Sequence, residues 1–284
     1  MISRVLLRKL FRDLKAMKMQ VFTIALVVGL GVAVLVGFTS TYDSLKSAQS
    51  QFYTESNFAD LFVSIKRAPN YAIEELKKHS DILQIEPHLE FDGLLNLPDQ
   101  ADIASARVIS IPDGEQPMLS RLHLIRGQLP LPTSINEALV SEGFFNAHQL
   151  ELGATIDITL NGKRTPLKIV GVATSPEHII VIAPGSPMPD DLHYAVFWVN
   201  QTLLEQRFDM KGAFNKISAK LSAGSSTDDI VRRLKNELDK YGAVTVNGRD
   251  LQLSHLYVTE ELKQLQVQAT VLPVVFFLVA AFVL

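Results

Sequence analysis

The chain is 284 residues long, 47% hydrophobic and 20% charged, with a net charge of -3 and no cysteine. That slightly acidic balance argues against a nucleic-acid partner, which would demand clustered Lys and Arg. The missing cysteines exclude disulfides, zinc–thiolate sites and thiol nucleophiles together, and are compatible with a bacterial periplasm, where stray thiols oxidise.

Residues 1–20 carry Arg4, Arg8, Lys9, Arg12, Lys15 and Lys18 against the single acid Asp13. Leu7, Leu10, Phe11, Leu14 and Met17 recur at helical spacing, so this basic segment can lie as an amphipathic helix on a membrane face. Residues 21–38 (VFTIALVVGLGVAVLVGF) are uninterruptedly apolar, long enough for a helix to cross the hydrocarbon core. We assign 21–40 to a first transmembrane helix. Basic residues beside a span stay cytoplasmic, which places the N-terminus inside and the following domain outside. A cleaved signal peptide begins similarly, but this run exceeds a usual signal core and no A-x-A-like site follows it. Ala25, Gly29, Ala33 and Gly37 fall at i+4 intervals, a face on which another helix can approach closely. No charge interrupts the run, so it holds no ion site of its own.

Residues 41–56 lack Pro and Gly and extend the helix as a stalk. Residues 57–257 are enough for a domain of two lobes. A strand at 59–65, a short helix at 71–79 and an extended stretch at 83–97 make one βαβ unit. A second comprises a strand at 215–221, a helix at 228–241 and a strand at 244–246. Ile230, Val231, Leu234, Leu238 and Tyr241 share one face of that helix, Ser226 or Thr227 caps it, and Gly242 ends it. Two such units can share one sheet, the split βαβ form. This first lobe is drawn from about 57–115 and 205–257. Between its halves lies a mostly β lobe, about 116–204. It holds a short helix at 141–148, an alternating run at 152–160, the turn Asn161-Gly162, a return strand at 163–172, and a strand at 194–200 with the only tryptophan, Trp198.

Residues 258–268 read as a second stalk helix, with Thr259 as its cap and Glu260 and Glu261 in its first turn. A second apolar run follows, and we place the start of another transmembrane helix at 269–284, cut off by the chain end. The chain thus reads as the N-terminal part of a larger membrane protein. Its fold class is α+β: two βαβ halves forming one lobe, with an inserted mostly β lobe, between two transmembrane helices with helical stalks. Rigid stalks suit a device that passes motion, whereas flexible tethers would be rich in Gly and Ser.

Catalytic signals are missing. Gly162-Lys163 lacks the glycine spacing of a phosphate loop, and neither H-E-x-x-H nor G-x-S-x-G occurs. The seven histidines are scattered; a metal site from distant ones, such as His178 with His193 and Asp190 or Asp191, is the weaker expectation against surface or structural roles. The Pro-rich segment 183–191 is the most unusual loop, expected as a connector ahead of a recognition loop.

The run NEALVSEGFFNAHQLELGATIDITLNGKRTPLKIVGVATSPE resembles the periplasmic core region of FtsX/MacB-type ABC transporter permeases. The matching residues are Leu139, Val140, Ser141, Glu142, Leu150, Gly153, Ile156, Val170, Gly171 and Val172, with Asn161 and Gly162 at the hairpin turn. The order of basic N-terminus, span, two-lobed outer domain and span matches too. The resemblance implies a permease subunit in a bacterial inner membrane, moving a substrate by export or extraction. It implies a cytoplasmic ABC ATPase that binds the ATP, so no cofactor in this chain, together with a second permease copy or half, membrane lipid, and later membrane helices. No catalysis is expected of the chain alone. Two alternatives stay open: a two-span bacterial receptor with a periplasmic ligand-binding domain, and a membrane-anchored hydrolase.

Overall fold

The computed structural model describes residues 4–97, 104–242 and 244–283. The chain divides into two units, residues 1–50 with 258–284 and residues 51–257.

Helix α1 (Arg4–Ala16) carries Arg8, Lys9, Arg12 and Lys15, and leaves Leu7, Phe11 and Leu14 exposed. The side chains of Arg4 and Leu10, and residue 284, lie outside the described residues. After a break at Met17 the chain restarts at Lys18 as α2 (Lys18–Glu55), 38 residues without interruption. Its glycines would each weaken a helix in water by about 1 kcal/mol. An apolar solvent leaves the backbone no other way to pair its polar groups.

The domain opens with β1 (Leu61–Pro69), α3 (Tyr71–Leu76) and β2 (Ile82–His88). The chain continues through β3 (Glu90–Asn96), β4 (Ala104–Ile111), β5 (His123–Gly127), β6 (Glu137–Ser141), α4 (Glu142–Ala147), β7 (Thr155–Leu160), β8 (Lys163–Thr174), β9 (Tyr194–Asn200) and α5 (Gln201–Phe208). It closes with β10 (Ala213–Leu221), α6 (Thr227–Leu238) and β11 (Thr245–Gly248).

The first sheet runs β11-β1-β10-β2, every neighbour antiparallel. Hence β1 and β2 are parallel with β10 between them, and β10 and β11 are parallel with β1 between them: two interlocked split βαβ units. Leu61, Val63 and Ile65 of β1 and Ile217 and Ala219 of β10 pack with α3 and with Ile230, Leu234 and Leu238 of α6. Ser226 Oγ caps α6, accepting from Asp229 N–H. Alternation then turns Ser64, Glu86, His88, Lys216 and Ser218 to the opposite face, which is consequently polar.

The second sheet runs β5-β8-β6-β9-β4-β3-β7, and β7 also pairs with β8, so it closes on itself. Val108, Phe144, Ile158, Leu160, Leu167, Ile169 and Phe197 fill the core inside it. Asn161 (φ 47) and Gly162 (φ 74) form the β7–β8 turn, the double left-handed conformation a two-residue hairpin needs.

This sheet corrects the lobe boundaries drawn from sequence. β3 and β4 belong to the closed sheet, not to the first lobe, so the divide falls near 89 and 212 in place of 116 and 204. The extended stretch 83–97 changes sheets at Leu89, fully buried, whose N–H donates to Ser110 Oγ at 2.8 Å and whose carbonyl accepts Ser110 N–H at 2.8 Å. Next to it Asn215 pins the other crossover, accepting Glu90 N–H at 2.9 Å and donating to the Glu90 carbonyl at 2.8 Å. Strand propensity is uniform across such a crossing, so local pattern does not mark it.

Helix α7 (Leu253–Val283) begins earlier than expected, and Thr259 lies inside it rather than capping it. The cap is Gln252, whose Oε1 accepts His255 N–H at 2.7 Å. Pro273 interrupts the ladder within α7. In the helical unit α2 and α7 run antiparallel, Leu35, Thr39 and Tyr42 lining a groove with Pro273, Ala269 and Gln266. The close approach falls on Gly31: a Cβ there would stand 3.2 Å from both Phe276 Cβ and Phe277 Cε1, whereas Gly29 and Gly37 have nothing within 4 Å. The face of Ala25, Gly29, Ala33 and Gly37 is therefore not the one that meets α7. Both helices contain a stretch apolar enough to cross a membrane.

Candidate functional site

Among the described residues no three His, Asp or Glu side chains gather as a metal site would require. His193 bonds Asp190 at 2.8 Å, and that bond holds the Asp190 carboxyl below its usual range. His178 instead bonds Ser175 Oγ at 3.1 Å and sets its ring edge-on to Trp198. The candidate metal set is not assembled.

What the domain does assemble is a network of long-range bonds at its base, where α2 ends and α7 begins. Tyr53 Oη and His255 Nδ1 meet at 3.0 Å, joining the two helix ends directly. Phe58, fully buried, packs against Tyr53 with ring centres 4.7 Å apart. Arg249 clamps the same turn, donating to the carbonyls of Phe58 at 2.7 Å and Ala59 at 2.9 Å and pairing with Asp60. Its guanidinium lies 4.7 Å from the Phe58 ring centre.

Two loops of the closed-sheet lobe grip these helix ends. Loop 112–122 docks on the end of α2: Arg121 N–H donates to the Ser56 carbonyl at 2.7 Å and Ser120 N–H to that of Asn57 at 3.1 Å. Asn57 (φ 46) and Ser120 (φ 50) are both left-handed, a conformation that Asn tolerates better than most residues and Ser does not favour. Glu86 of β2 accepts Met118 N–H at 2.9 Å and Leu119 N–H at 2.7 Å, binding the first lobe to the same loop. Burial raises the Glu86 pKa even so. Loop 175–191 holds the start of α7. Gln252 Nε2 donates to the Glu177 carbonyl at 2.6 Å, Ile180 N–H to the buried Ser254 Oγ at 3.0 Å, and Tyr257 Oη to the Pro187 carbonyl at 2.9 Å. The Pro-rich segment is thus a brace on α7.

The base predicts its own weak point. Arg249→Met keeps the stem but takes the side-chain donor from the Ala59 carbonyl and the nearest cation from Asp60. Lys220 still reaches the Phe58 carbonyl at 2.7 Å and Leu221 N–H still reaches Asp60 at 3.0 Å, so the change should destabilise the domain by about 1–2 kcal/mol. Arg249→Lys should recover only part, because a point charge cannot serve all three acceptors. Thermal unfolding of the detergent-solubilised chain, followed through Trp198, reads this; an unshifted midpoint for the Met variant would remove the clamp from the account.

The expected fold residues are placed as follows. Leu150 packs partly buried on the closed-sheet core, and Gly153 (φ 93) donates its N–H to the Ile169 carbonyl at 2.7 Å. Val170, Gly171 and Val172 lie in β8, where Gly171 pairs with Gly127 of β5. Tyr53, His255, Arg249 and Gln252 carried no sequence signal; Gly31 could have been found by asking which glycine faces the second span's aromatics.

A two-lobed α+β domain joined to two helices, each with a stretch apolar enough to cross a membrane, is the class of protein that the fold defines. The chain belongs to the family of the MacB-like periplasmic core domain, whose model matches residues 21–237. Solved structures similar to it include the periplasmic region of MacB from Actinobacillus actinomycetemcomitans, at 12% identity and TM-score 0.42, covering 74% of this chain and 95% of that one. Another is the extracellular domain of the noncanonic ABC-type transporter YknZ from Gram-positive bacteria, at 12% identity and TM-score 0.42, covering 66% and 98%. A third is a domain of a putative permease protein from Porphyromonas gingivalis, at 13% identity and TM-score 0.36, covering 68% and 88%. Among curated proteins none matches.

Proposed function

We propose that this chain is the permease subunit of an ABC transporter, coupling ATP hydrolysis by a separate cytoplasmic ATPase to movement of its periplasmic domain for export or extraction of a substrate. The observation that carries the reading is the base of the domain: α2 and α7 enter it as unbroken helices, and each is held by side-chain and backbone bonds to loops of the closed-sheet lobe. A displacement of either helix end has no slack to be lost in. The protein sits in the inner membrane with its N-terminus cytoplasmic, the cations of α1 against lipid headgroups, and a second permease copy or half completing the transporter. The face of Ala25, Gly29, Ala33 and Gly37 is suited to packing against a helix outside this chain.

Orientation is tested by fusing an export-dependent phosphatase after Asn161. Activity is expected; activity of a cytoplasm-only reporter at that position would overturn the topology. The energy source is tested on the purified chain, which should turn over no ATP until a cognate ATPase subunit is added. Turnover by the chain alone, above a mock preparation, would count against the permease reading.

A further inference from the structure

The polar face of the four-stranded sheet does not open freely to solvent. It is partly covered by the closed-sheet lobe, and the seam holds two partly open cavities. One, of about 50 Å³, is lined by Glu86, Ser110, Ser120 and Trp198; the other, of about 220 Å³, by Ser64, Arg107, Lys216 and Asn247. His88 from β2 and Glu177 and His178 from loop 175–191 line both. Even the smaller exceeds the roughly 10–15 Å³ one water needs, so the seam can be wet and exchange protons.

We propose that Glu177, set with His88 and His178 between these cavities, is a proton-binding site that governs how tightly loop 175–191 holds the start of α7. This concerns the domain alone and stands whether or not an ATPase moves the helices. The groups that face Glu177 come from every element around it: Glu86 and His88 of β2, Glu90 of β3, Arg107 of β4, Ser120 and Lys216. Glu90 lies closest to the two cations, with Lys216 at 2.9 Å and Arg107 at 3.2 Å, and Arg107 also pairs with Asp92 at 3.1 Å. The buried Ser120 hydroxyl stands by Glu177 without regular hydrogen-bond geometry.

Burial first, then the Glu90 and Glu86 charges, against the opposing Ser120 and Lys216, push the Glu177 carboxyl up to about 7. Burial, with Lys216 near, pushes His88 down to about 4, and burial, with Arg107 and Lys216 near, does the same to His178. Between pH 6.5 and 8 the seam therefore changes charge at Glu177. Its contribution to the hold is full below the ordinary carboxylate value of about 4.5, weakens as pH rises, and is lowest above about 7, where an ionised Glu177 confronts Glu86 and Glu90. His88 and His178 contribute with the opposite sign, a stability present above about 6.5 and lost as pH falls toward 4, so Glu177 is isolated by comparison with Glu177→Gln. The weakening is passed on because the Glu177 carbonyl accepts from Gln252, the cap of α7, and Ile180 is bound to Ser254.

The chain carries its own reporter. Trp198 is the only tryptophan, is 2% exposed, lines the smaller cavity, and has the His178 ring 5.9 Å away. Titration of the full chain in detergent micelles should shift Trp198 emission with a midpoint near pH 7. Glu177→Gln, which mimics the protonated side chain, should abolish that transition while leaving the acid-side fluorescence as in the parent. The ratio of hydrogen exchange in the parent to that in Glu177→Gln at 175–182 and 253–256, in which the intrinsic rate and the two histidines cancel, should rise about fourfold between pH 6.5 and 8. A transition near pH 7 that persists in Glu177→Gln would overturn the assignment, as would flat emission together with a pH-independent exchange ratio.

Discussion

Replacing Gly127 by alanine is expected to destabilise the closed-sheet lobe by more than about 3 kcal/mol. Two effects add there. The backbone is left-handed (φ 78), which a side chain resists by about 1–2 kcal/mol. A Cβ would also fall into the Val170 carbonyl and lie 2.6 Å from Gly171 Cα, where two strands cross backbone to backbone. That neighbour cannot yield, because β8 is held there between β5 and β6. The control is Gly162→Ala, which has a similar φ of 74 but nothing within 4 Å of the added carbon, and should cost only about 1–2 kcal/mol. Unfolding midpoints followed through Trp198 compare the two. Equal losses would show that the close approach of β5 to β8 contributes nothing.

The second large effect concerns α7. Gln264 and Leu265 lie in its interior, beyond the turns that the domain grips and ahead of the apolar stretch. Substituting Gly-Gly there weakens the helix by about 1 kcal/mol per residue and inserts a flexible joint. In the full transporter we expect transport to be abolished, with membrane insertion retained and basal ATP turnover nearly unchanged. Undiminished transport would make α7 a tether, and the mechanical part of the proposal would fall.

Local features were readable in the residues. Asn161-Gly162 between alternating runs, the amphipathic α6 with Ser226 before it, and the breaker-free stretches extending the spans all became the elements their chemistry specifies. What escaped was long-range. β8 pairs with β7 through its first half and with β5 and β6 through its second, so the sheet closes; no periodicity within one strand encodes a partner. The sheet change at Leu89 escaped for the same reason. Thr259 looked like a cap because Glu260 and Glu261 follow it, yet Gln252, a less usual capping residue, wins through its bond to His255 N–H. The base was least visible of all. Tyr53 and His255 are 202 residues apart, and an ordinary Tyr and His acquire meaning only once the fold has brought two helix ends together.

Because these 284 residues hold no cysteine, two introduced thiols are the only ones among them, and the label is placed on a transporter whose remaining cysteines have been replaced. Spin labels at Lys46 on α2 and Lys263 on α7, both exposed, report on the two helices themselves. In the full transporter with its ATPase, the distance distribution between them is predicted to shift between the nucleotide-free and ATP-bound states. The shift should vanish when the ATPase cannot bind ATP. Identical distributions in both states, in a preparation that turns over ATP and transports, would contradict the claim that these helices carry the motion.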